Sequence, residues 1–422
     1  MAFLFATFSL NGQNVDGVNT CTPYSMFGLG ELSDATHATS KAMGGIGVGV
    51  RDNRFINIMN PASLTARDTL SFMFDVGFAQ RNIVSKNAST KSAYNTGTIQ
   101  SLVFSTPLYH KSALAFGVVP FSDMGYDVEN YENDPKILAK YGDVQYNQYG
   151  SGSLYQGFIA GAFDWGEHLS FGAQAGLYFG SLDRHSDIAF NTQESMNSTT
   201  SYWTYEPYGY SLKLGVQYRS LMGENQDGML TVGATWRLSS KMRGDDESYF
   251  VSATHMGNLD TAYYYKERLV VDVPYELCFG ISYRKVDKWM AGLDVKYSKW
   301  SGNSSLSTKG LDVSLQNAGS VRAGFEFVPN RYDIRYYFKR ITYRCGVYYD
   351  RSYLRMNGQS IDAKGITLGF SFPVNRLYNA FNLAVDFGQR GTTSKGLVKE
   401  NYVNFTLNIS LHDLWFIKQL YQ

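Results

Sequence analysis

Apolar and polar residues alternate without interruption along residues 269–283, a pattern that predicts a β-strand. Successive side chains of a strand point to opposite faces, so one face of this strand is apolar and the other is polar. The apolar face carries Val271, Val273, Tyr275, Leu277, Phe279, Ile281 and Tyr283. The polar or small face carries Asp272, Pro274, Glu276, Cys278, Gly280 and Ser282. The apolar face is therefore expected to contact either a protein core or lipid.

The same alternation recurs from residue 69 onward and predicts fourteen strands. Residues 230–238 and 403–411 are clear examples, because every second residue in each is apolar. Most of the strands hold about ten or more residues, which is longer than is usual in soluble proteins. The predicted strands lie at 69–82, 97–109, 112–127, 146–164, 167–188, 202–220, 228–243, 266–284, 287–300, 314–328, 339–352, 362–373, 378–390 and 400–411.

The links between these strands fall into two classes. Short turns are expected at residues 110–111, 165–167, 284–286 and 375–377, and longer polar links at 83–96, 128–145, 189–201, 244–265, 301–313 and 391–399. Short turns at one rim and long loops at the other are typical of outer-membrane barrels, where the short side is periplasmic. An even number of long strands favours an all-β fold, a 14-stranded antiparallel transmembrane β-barrel over residues 69–412. The alternative is a soluble sandwich, which would bury the apolar faces in a core.

The polar face of the predicted strands carries charges of both signs. In a barrel these residues are expected to line the lumen. On a soluble sheet they would face water, so they do not separate the two folds by themselves. The lumen-facing candidates are Asp272, Glu276, Arg237, Asp294 and Arg344.

Composition excludes several classes of protein. No run of 18 or more apolar residues occurs in the sequence, so no membrane-spanning helix is expected. The mean hydropathy of −0.26 remains compatible with a barrel, because half of each barrel strand is polar. A net charge of +1 gives no basic surface for nucleic acid. Cys21, Cys278 and Cys345 are far apart and form no metal-binding spacing.

The two ends of the chain differ from the predicted barrel. Residues 1–13 are apolar and resemble the end of a secretory signal peptide, although a positively charged start is missing. Together with the barrel pattern they predict export to the outer membrane of a Gram-negative bacterium. Residues 14–68 show no period of two and are expected to form a separate N-terminal unit. Residues 413–422 continue past the last predicted strand and are expected to form a periplasmic tail.

Residues 40–64 hold two short motifs rich in glycine and other small residues. Their residues are Ala42, Met43, Gly44, Gly45 and Gly47, followed by Asn60, Pro61 and Ala62. This arrangement resembles the N-terminal plug of the FadL-type family of outer-membrane transporters for long-chain fatty acids and other hydrophobic compounds. The resemblance extends over residues 24–411, includes the same number of strands, and implies that residues 14–68 plug the lumen. From the residues alone, a flexible leader is the alternative.

The resemblance also implies a route for a hydrophobic ligand. Family members take ligands into the barrel and release them sideways into the membrane at a kink in the third strand. The matching strand here is 112–127, in which Pro120 has no N–H to donate and Gly117 and Gly125 permit a bend. These three residues are the candidates for a lateral gate. The alternative is that Pro120 lies at the outer rim and only starts a loop.

Enzymatic and metal-dependent functions are not indicated by the sequence. Six histidines are present, and none forms a clear Ser–His arrangement within a strand. The glycine- and serine-rich residues 150–153 lack the spacing of a nucleophile elbow. No cluster of His and Cys has the spacing of a metal site. We therefore expect no catalytic residue, no metal and no cofactor.

Two functions remain open from the sequence. The first is uptake of hydrophobic small molecules through a plugged lumen in contact with outer-membrane lipid. The second is a non-transporting role as a scaffold or accessory subunit of an outer-membrane protein assembly or secretion machine. Residues 244–265, which include acids and three consecutive tyrosines, and residues 413–422 are the candidate contacts with envelope proteins. The charged lumen also departs from an apolar fatty-acid cavity.

Overall fold

Fourteen antiparallel strands form a closed barrel in the computed structural model. The structure describes residues 13–14, 19–34, 36–68, 71–87, 90–108, 111–190, 198–224, 226–253, 259–302, 312–374 and 379–414. The strands are β1 Ser71–Lys86, β2 Lys91–Pro107, β3 Ser112–Asp123 with Tyr126–Tyr131, β4 Val144–Trp165, β5 Leu169–Phe190, β6 Ser198–Met222, β7 Gly228–Arg237 with Ser240–Ala253, β8 Leu259–Val273 with Glu276–Lys285, β9 Trp289–Ser298, β10 Val313–Leu315 with Ala318–Phe327, β11 Thr342–Met356, β12 Gln359–Pro373, β13 Ala380–Gly391 and β14 Lys399–Leu414.

Helices are few and short. The α-helices are α1 Ala38–Lys41 and α2 Pro135–Tyr141, and the 3-10 helices are Pro23–Met26, Pro61–Ala66, Tyr337–Lys339 and Ser394–Gly396. None of the helices in the described residues is long and apolar enough to cross a membrane. Two further two-residue strands, Gln13–Asn14 and Glu31–Leu32, precede the barrel.

The barrel closes because β14 pairs antiparallel with β1, from Leu414 opposite Ser71 to Lys399 opposite Lys86. An even number of strands is what an antiparallel ring needs, and the predicted all-β barrel of fourteen strands is confirmed. We call the end where residues 132–143 and 392–398 connect strands the loop rim. The opposite end, with residues 166–168 and 286–288, is the turn rim.

The wall differs from a soluble protein in that its apolar side chains face outward and its polar side chains face inward. Large apolar side chains such as Leu212, Phe279 and Leu407 point outward and are exposed. Polar side chains on the inner face, such as Gln217 and Thr231, are buried. A soluble sandwich would not expose such a continuous apolar surface, whereas a barrel in a bilayer covers it with lipid.

The alternation predicted for residues 269–283 is broken in the structure. Strand β8 is interrupted at residues 274–275 and its neighbour β7 at residues 238–239, with Arg237 opposite Glu276 below the break and Ser240 opposite Val273 above it. Two unpaired residues in each strand reverse the face to which the next side chains point. Proline contributes to the break, because Pro274 has no N–H to continue the ladder.

This reversal corrects the prediction for three residues. Val271 and Val273, predicted on the outer face, are fully buried inside the barrel. Asp272, predicted to face the lumen, lies on the outer face with 56% of its side chain exposed. Its carboxylate is 3.9 Å from the ammonium of Lys241, which lies on the neighbouring strand. Only the part of β8 from Glu276 onward keeps the predicted faces.

The predicted long link at 244–265 is also wrong. Residues 240–253 and 259–273 are paired strands up to Ala253 opposite Leu259. The link predicted at 83–96 is likewise mostly strand, because β1 ends at Lys86 and β2 begins at Lys91. In both places the strands continue past the lipid band, where both faces meet polar surroundings. The period of two then disappears from the sequence while the strand persists.

An apolar core lies in the half of the lumen nearest the loop rim. Strands β4 to β8 contribute Leu154, Leu182, Tyr205, Met242 and Val271, which are all buried. Trp300, which follows β9, packs into the same cluster together with Tyr24 and Leu29 of the N-terminal segment. These side chains pack against one another.

Residues 19–34 and 36–68, called here the N-terminal segment, lie inside the ring of strands. Their backbone groups bond to inward side chains of opposite walls, including Asp75 of β1 and Asp294 of β9. Gln13–Asn14 pairs in parallel with Tyr94–Asn95 of β2. Of the predicted leader, residues 1–12 lie outside the described residues. Of the predicted tail, residues 413–414 end β14 and residues 415–422 lie outside the described residues.

The reversal in β8 predicts different costs for two neighbouring substitutions. Val271→Asn places an unpartnered amide in the apolar core and is expected to lower the free energy of unfolding by about 1–3 kcal/mol. Val270→Asn on the outer face is expected to change it by no more than about 0.5 kcal/mol. The measurement is urea unfolding of the barrel refolded in lipid vesicles. Equal costs, or a larger cost for Val270→Asn, would contradict the reversal of the two faces.

Candidate functional site in the lumen

The glycine-rich part of the N-terminal segment is held by side chains of the barrel wall. The carboxylate of Asp294 on β9 accepts hydrogen bonds from the backbone N–H groups of Gly47 at 2.6 Å and Val48 at 2.8 Å. Thr367 on β12 accepts from the N–H of Gly44 at 2.8 Å and donates to the carbonyl of Ala42 at 3.0 Å. The wall thereby satisfies backbone groups that an irregular chain cannot pair with itself.

Small residues allow the N-terminal segment to approach the wall this closely. A Cβ atom added to Gly346 of β11 would lie 2.1 Å from the backbone nitrogen of Gly44 and 2.2 Å from the carbonyl carbon of Met43. Gly44 and Gly45 also have φ angles of 71° and 86°, a left-handed conformation that favours glycine. A side chain at Gly346 would push the segment away from the wall.

The second motif closes the N-terminal segment into a compact unit. The side-chain oxygen of Asn60 accepts from the N–H of Ala62 at 3.1 Å and caps the 3-10 helix Pro61–Ala66. Its amide nitrogen donates to the carbonyl of Val48 at 3.0 Å and to that of Val216 on β6 at 3.1 Å. Asn60 therefore links the two motifs to each other and to the barrel.

A buried cluster of five charges joins the N-terminal segment to β8, β10 and β11. Arg54 lies 2.6 Å from Glu326, which also binds Arg344 at 2.8 Å. Asp52 pairs with Arg54 and lies 2.8 Å from Arg284. Burial alone would raise the pKa of Asp52, but the guanidinium groups of Arg284 and Arg54 lower it well below its usual range. Each charge has an opposite neighbour, so removing one partner would leave a buried charge uncompensated.

A second charge cluster lies nearer the loop rim. Glu31 is 2.7 Å from Arg390 of β13 and 3.2 Å from Arg81 of β1. Burial alone would raise the pKa of Glu31, but the two guanidinium groups outweigh it and lower the pKa to about 2. Arg390 also lies 2.7 Å from Glu400, which accepts a hydrogen bond from Thr22 at 2.5 Å.

Asp34 borders two cavities in the lumen. It pairs with Arg322 of β10 and lies 2.7 Å from Lys296 of β9. Cavities of about 300 Å³ and 160 Å³ both reach these three residues. The larger cavity is also lined by Lys41, whose pKa is lowered to about 8 by burial and by the like charge of Arg81. Both cavities are therefore bounded by charged groups.

The structure places the other predicted lumen residues on the inner face. Arg237 and Glu276 form an ion pair of 3.4 Å between β7 and β8, beside the smaller cavity. Asp294 accepts hydrogen bonds from the N-terminal segment, and Arg344 binds Glu326, which pairs with Arg54 of that segment. The sequence analysis did not single out Glu31, Asp34, Asp52 or Arg54, because residues 14–68 have no periodicity that orients a side chain. No group of His, Cys, Asp and Glu suited to a metal occurs in the described part of the chain.

The barrel wall is incomplete between β2 and β3. The two strands pair from Pro107 opposite Ala113 only as far as Leu102 opposite Val118. Pro120 is buried, and the register with β4 shifts just after it. Gly125 lies in the interruption between the two parts of β3, and Gly117 packs against the backbone of β2. Pro120 therefore lies within the strand, and the alternative in which it starts an outer loop is wrong.

The chain's own N-terminal residues occupy this incomplete part of the wall. Gln13–Asn14 pairs with β2, and Glu31–Leu32 pairs antiparallel with Asp123–Ser122 of β3. Between them, the N–H of Thr22 donates to the carbonyl of Gly125 at 2.8 Å, and the N–H of Gly125 donates to the Ser25 hydroxyl at 3.0 Å. The backbone groups exposed by the early end of the β2–β3 ladder are thus partly satisfied.

The close approach of Gly346 to Gly44 predicts a steric effect. Gly346→Ala is expected to lower the free energy of unfolding by about 1–3 kcal/mol, because the added methyl group overpacks the lumen. Gly161→Ala on the outer face is the matched control, since nothing lies within 4 Å of its added Cβ. Urea unfolding in lipid vesicles measures both. An unchanged free energy of unfolding in Gly346→Ala would show that the N-terminal segment does not pack closely against β11.

The lowered pKa of Glu31 predicts a dependence of stability on pH. Because the folded pKa of about 2 lies below the ordinary 4.5, the ionised carboxylate stabilises the folded state fully above about pH 4.5. This contribution, at most about 3 kcal/mol, is lost as the pH falls toward 2. Urea unfolding between pH 2 and pH 6 is expected to show a larger loss of stability in the wild type than in Glu31→Gln, which keeps other paired carboxylates such as Asp52. The variant of an exposed residue, Glu224→Gln, should lose stability with falling pH as the wild type does. An equal loss in Glu31→Gln would exclude this role for Glu31.

Comparison with known proteins agrees with the fold. The sequence model of the BamG family matches residues 1–422. No protein with a curated description matches the chain in sequence. The toluene transporter TodX of Pseudomonas putida is 15% identical, with a TM-score of 0.58 over 92% of this chain and 98% of that chain.

Two further solved structures are similar over the whole barrel. The toluene transporter TbuX of Ralstonia pickettii is 15% identical, with a TM-score of 0.58 over 88% of this chain and 96% of that chain. A FadL homologue of Pseudomonas aeruginosa is 11% identical, with a TM-score of 0.59 over 91% of this chain and 99% of that chain. These neighbours are channels or transporters rather than enzymes, and the predicted resemblance to the FadL type is confirmed. The chain belongs to the BamG family, a FadL-like family of outer-membrane β-barrels.

Proposed function

We propose that this barrel is a non-transporting accessory subunit of a protein assembly in the outer membrane of a Gram-negative bacterium. The observation that carries the proposal is that the N-terminal segment is bound to the wall and packed into the apolar core of the lumen. Asp294 binds its glycine-rich motif, and its residues Tyr24 and Leu29 belong to the same apolar core as Val271. In this proposal residues 14–68 act as a permanent plug and the loop rim faces the outside of the cell.

The attachment of the N-terminal segment supports a permanent plug. Asp52, Arg54 and Glu31 reach buried or half-buried partners on several strands of the wall. Pulling the segment out would separate these pairs and leave Arg284, for example, without the carboxylate of Asp52 in a closed space. Breaking one buried pair costs about 3–5 kcal/mol, and several would have to break together.

The chemistry of the cavities argues against a hydrophobic cargo. The larger cavity is about 300 Å³ and is bordered by Glu31, Asp34, Lys41 and Arg322. A hydrocarbon placed there would take water from these groups without replacing its hydrogen bonds. Desolvation of that kind is unfavourable for polar groups and more so for charges.

A second function, uptake of hydrophobic small molecules, is favoured by one specific observation. The ladder between β2 and β3 ends at Leu102 opposite Val118, and the interruption at Gly125 follows. TodX and TbuX, which share the fold, are described as toluene transporters. In this candidate function a ligand leaves the barrel sideways past Gly117, Pro120 and Gly125 once residues 19–34 move aside.

Native mass spectrometry of the barrel extracted from its own membrane in a mild detergent separates the two functions. We expect a complex in which the barrel carries one or more other proteins in a fixed stoichiometry, because a filled lumen leaves the outer surface as the functional part. The same preparation in a denaturing detergent serves as the control for chance association.

Two outcomes would contradict the accessory role. An isolated barrel with a bound apolar compound would favour uptake. Uptake of a labelled hydrocarbon into vesicles that contain only this barrel would have the same consequence. A barrel with partner proteins and no such uptake supports the proposed role.

A further inference from the structure

We propose that the loop-rim half of β8, Leu259–Val273, is a docking edge for one extended strand of a different cell-surface or outer-membrane protein. The inference rests on the proposed accessory role and names the surface at which a partner would bind. The feature that suggests it is a strand with a neighbour on one side only. We call its outer part, residues 263–270, the open edge.

The open edge results from unequal strand lengths. Strand β8 pairs with β7 over its whole loop-rim half, from Val273 opposite Ser240 to Leu259 opposite Ala253. Its other neighbour, β9, reaches only Ser298, which lies opposite Glu276. Among the described residues, no strand pairs with the second side of Leu259–Val273. A strand in this position presents unpaired backbone donors and acceptors.

Only the upper part of this side is accessible. Near the base, Val271 and Val273 are buried against Trp300, Val313 and Leu315. Residues 263–268 are exposed on both faces of the strand. The apolar outer residues Phe279 and Ile281, which mark the lipid band, lie further along β8 toward the turn rim. The open edge therefore projects beyond the lipid band, where another protein can reach it.

The cationic side chains of the open edge contact neighbouring strands of the barrel. Lys266 lies 3.0 Å from Asp245 and also pairs with Glu247, both on β7. Arg268 donates a hydrogen bond to the hydroxyl of Tyr208 on β6. Natural edge strands are commonly protected from pairing by free lysines or by proline. Here Lys266 is neutralised by β7 and Arg268 is held by Tyr208. Glu267 accepts a hydrogen bond from Tyr265 of the same strand. With each charged group engaged in this way, an uncharged strand matches this edge.

Tyrosines give the open edge side chains suited to a protein contact. Tyr263 and Tyr265 lie on one face with ring centroids 6.4 Å apart, and Tyr264 lies on the other. The exposed fractions of these residues are 55% for Tyr263, 57% for Tyr264 and 42% for Tyr265. Tyrosine is enriched at protein interfaces, because its ring is apolar and its hydroxyl remains hydrogen-bonded.

A cross-strand aromatic row also ends at this edge. Tyr149, His185, Tyr202 and Tyr249 are direct neighbours on four adjacent strands, and Tyr264 lies opposite Tyr249. Successive ring centroids from Tyr149 to Tyr249 are 4.4, 4.8 and 4.7 Å apart. An aromatic residue of a docked strand opposite Tyr264 would extend the row, and such cross-strand pairs stabilise sheets.

An antiparallel strand pair is slightly more stable per residue than a parallel one, and the orientation of the membrane allows a second copy only the parallel arrangement at this edge. Strand β8 runs from the loop rim toward the turn rim, so an antiparallel partner runs toward the loop rim. Two copies in one membrane have the same orientation, and their β8 strands would run parallel. The occupant is therefore an uncharged, aromatic-containing extended segment of another protein that rises from the membrane.

Site-specific photo-cross-linking in the full-length protein in its native membrane tests the docking edge. The photoreactive residue p-benzoylphenylalanine replaces Tyr263, Tyr264 or Tyr265, one at a time, and cross-linked peptides are mapped by mass spectrometry. We expect positions 263 and 265 to reach residues two apart in one segment of one other protein, in reversed order. Tyr332, which is 73% exposed at the turn rim, is the matched control and should not reach that segment.

A charge variant provides the second measurement. Tyr263→Lys adds a free cation to the edge and is expected to reduce co-purification of that protein at least 10-fold, whereas Tyr332→Lys leaves it unchanged. Resistance of the barrel to unfolding in cold sodium dodecyl sulfate checks that both variants are folded.

Three results would overturn the docking edge. They are cross-links confined to this chain or to a second copy, cross-links scattered over the partner without the reversed spacing, and a partner fully retained by the folded Tyr263→Lys variant. In the last case the accessory role stands and the docking surface lies elsewhere. A wild-type barrel that carries no partner at all contradicts the accessory role itself.

Discussion

The constraint on which this structure depends is that polar groups on the inner face must be satisfied inside the barrel. Lipid covers the outer face, where Leu212 and Phe279 are exposed, and offers no hydrogen bonds. The chain meets this constraint with its own N-terminal segment. Asp294 and Thr367 bind backbone groups of the glycine-rich motif, and Glu326 binds Arg54. The plug-like packing is thus a consequence of the polar inner face as much as of the motif.

Sequence periodicity predicted the barrel because lipid and lumen impose opposite chemistry on alternate residues. The fourteen strands and the inward orientation of Arg237, Glu276 and Arg344 follow from that alternation. The same reasoning failed for Asp272, because the interruption at residues 274–275 reverses the faces without disturbing the apparent period. The two segments of β8 have opposite phases, but residues 274–275 between them also fit the apolar–polar alternation. In the sequence the two segments therefore look like one strand.

The contacts inside the lumen could not be predicted for a different reason. The pair between Asp34 and Arg322 joins residues 288 positions apart, and the hydrogen bond between Thr22 and Glu400 joins residues 378 positions apart. No local pattern encodes such pairs in a segment without periodicity. The motifs that contain Gly44 and Asn60 predicted a plug only through the resemblance to a family, and a flexible leader stayed open from the residues alone. The partners of these motifs on the wall required the three-dimensional structure.

The wall is interrupted in two places, and they differ in what fills them. A closed ladder is obligatory only where lipid excludes water, so strands may part near a rim. Between β2 and β3 the chain supplies Gln13–Asn14 and Glu31–Leu32, which pair with the two separated strands. Beside the loop-rim half of β8, the described residues supply no strand, and Lys266 is turned away by Asp245. An edge that the described residues leave unpaired is the part of the wall most suited to a strand from another protein.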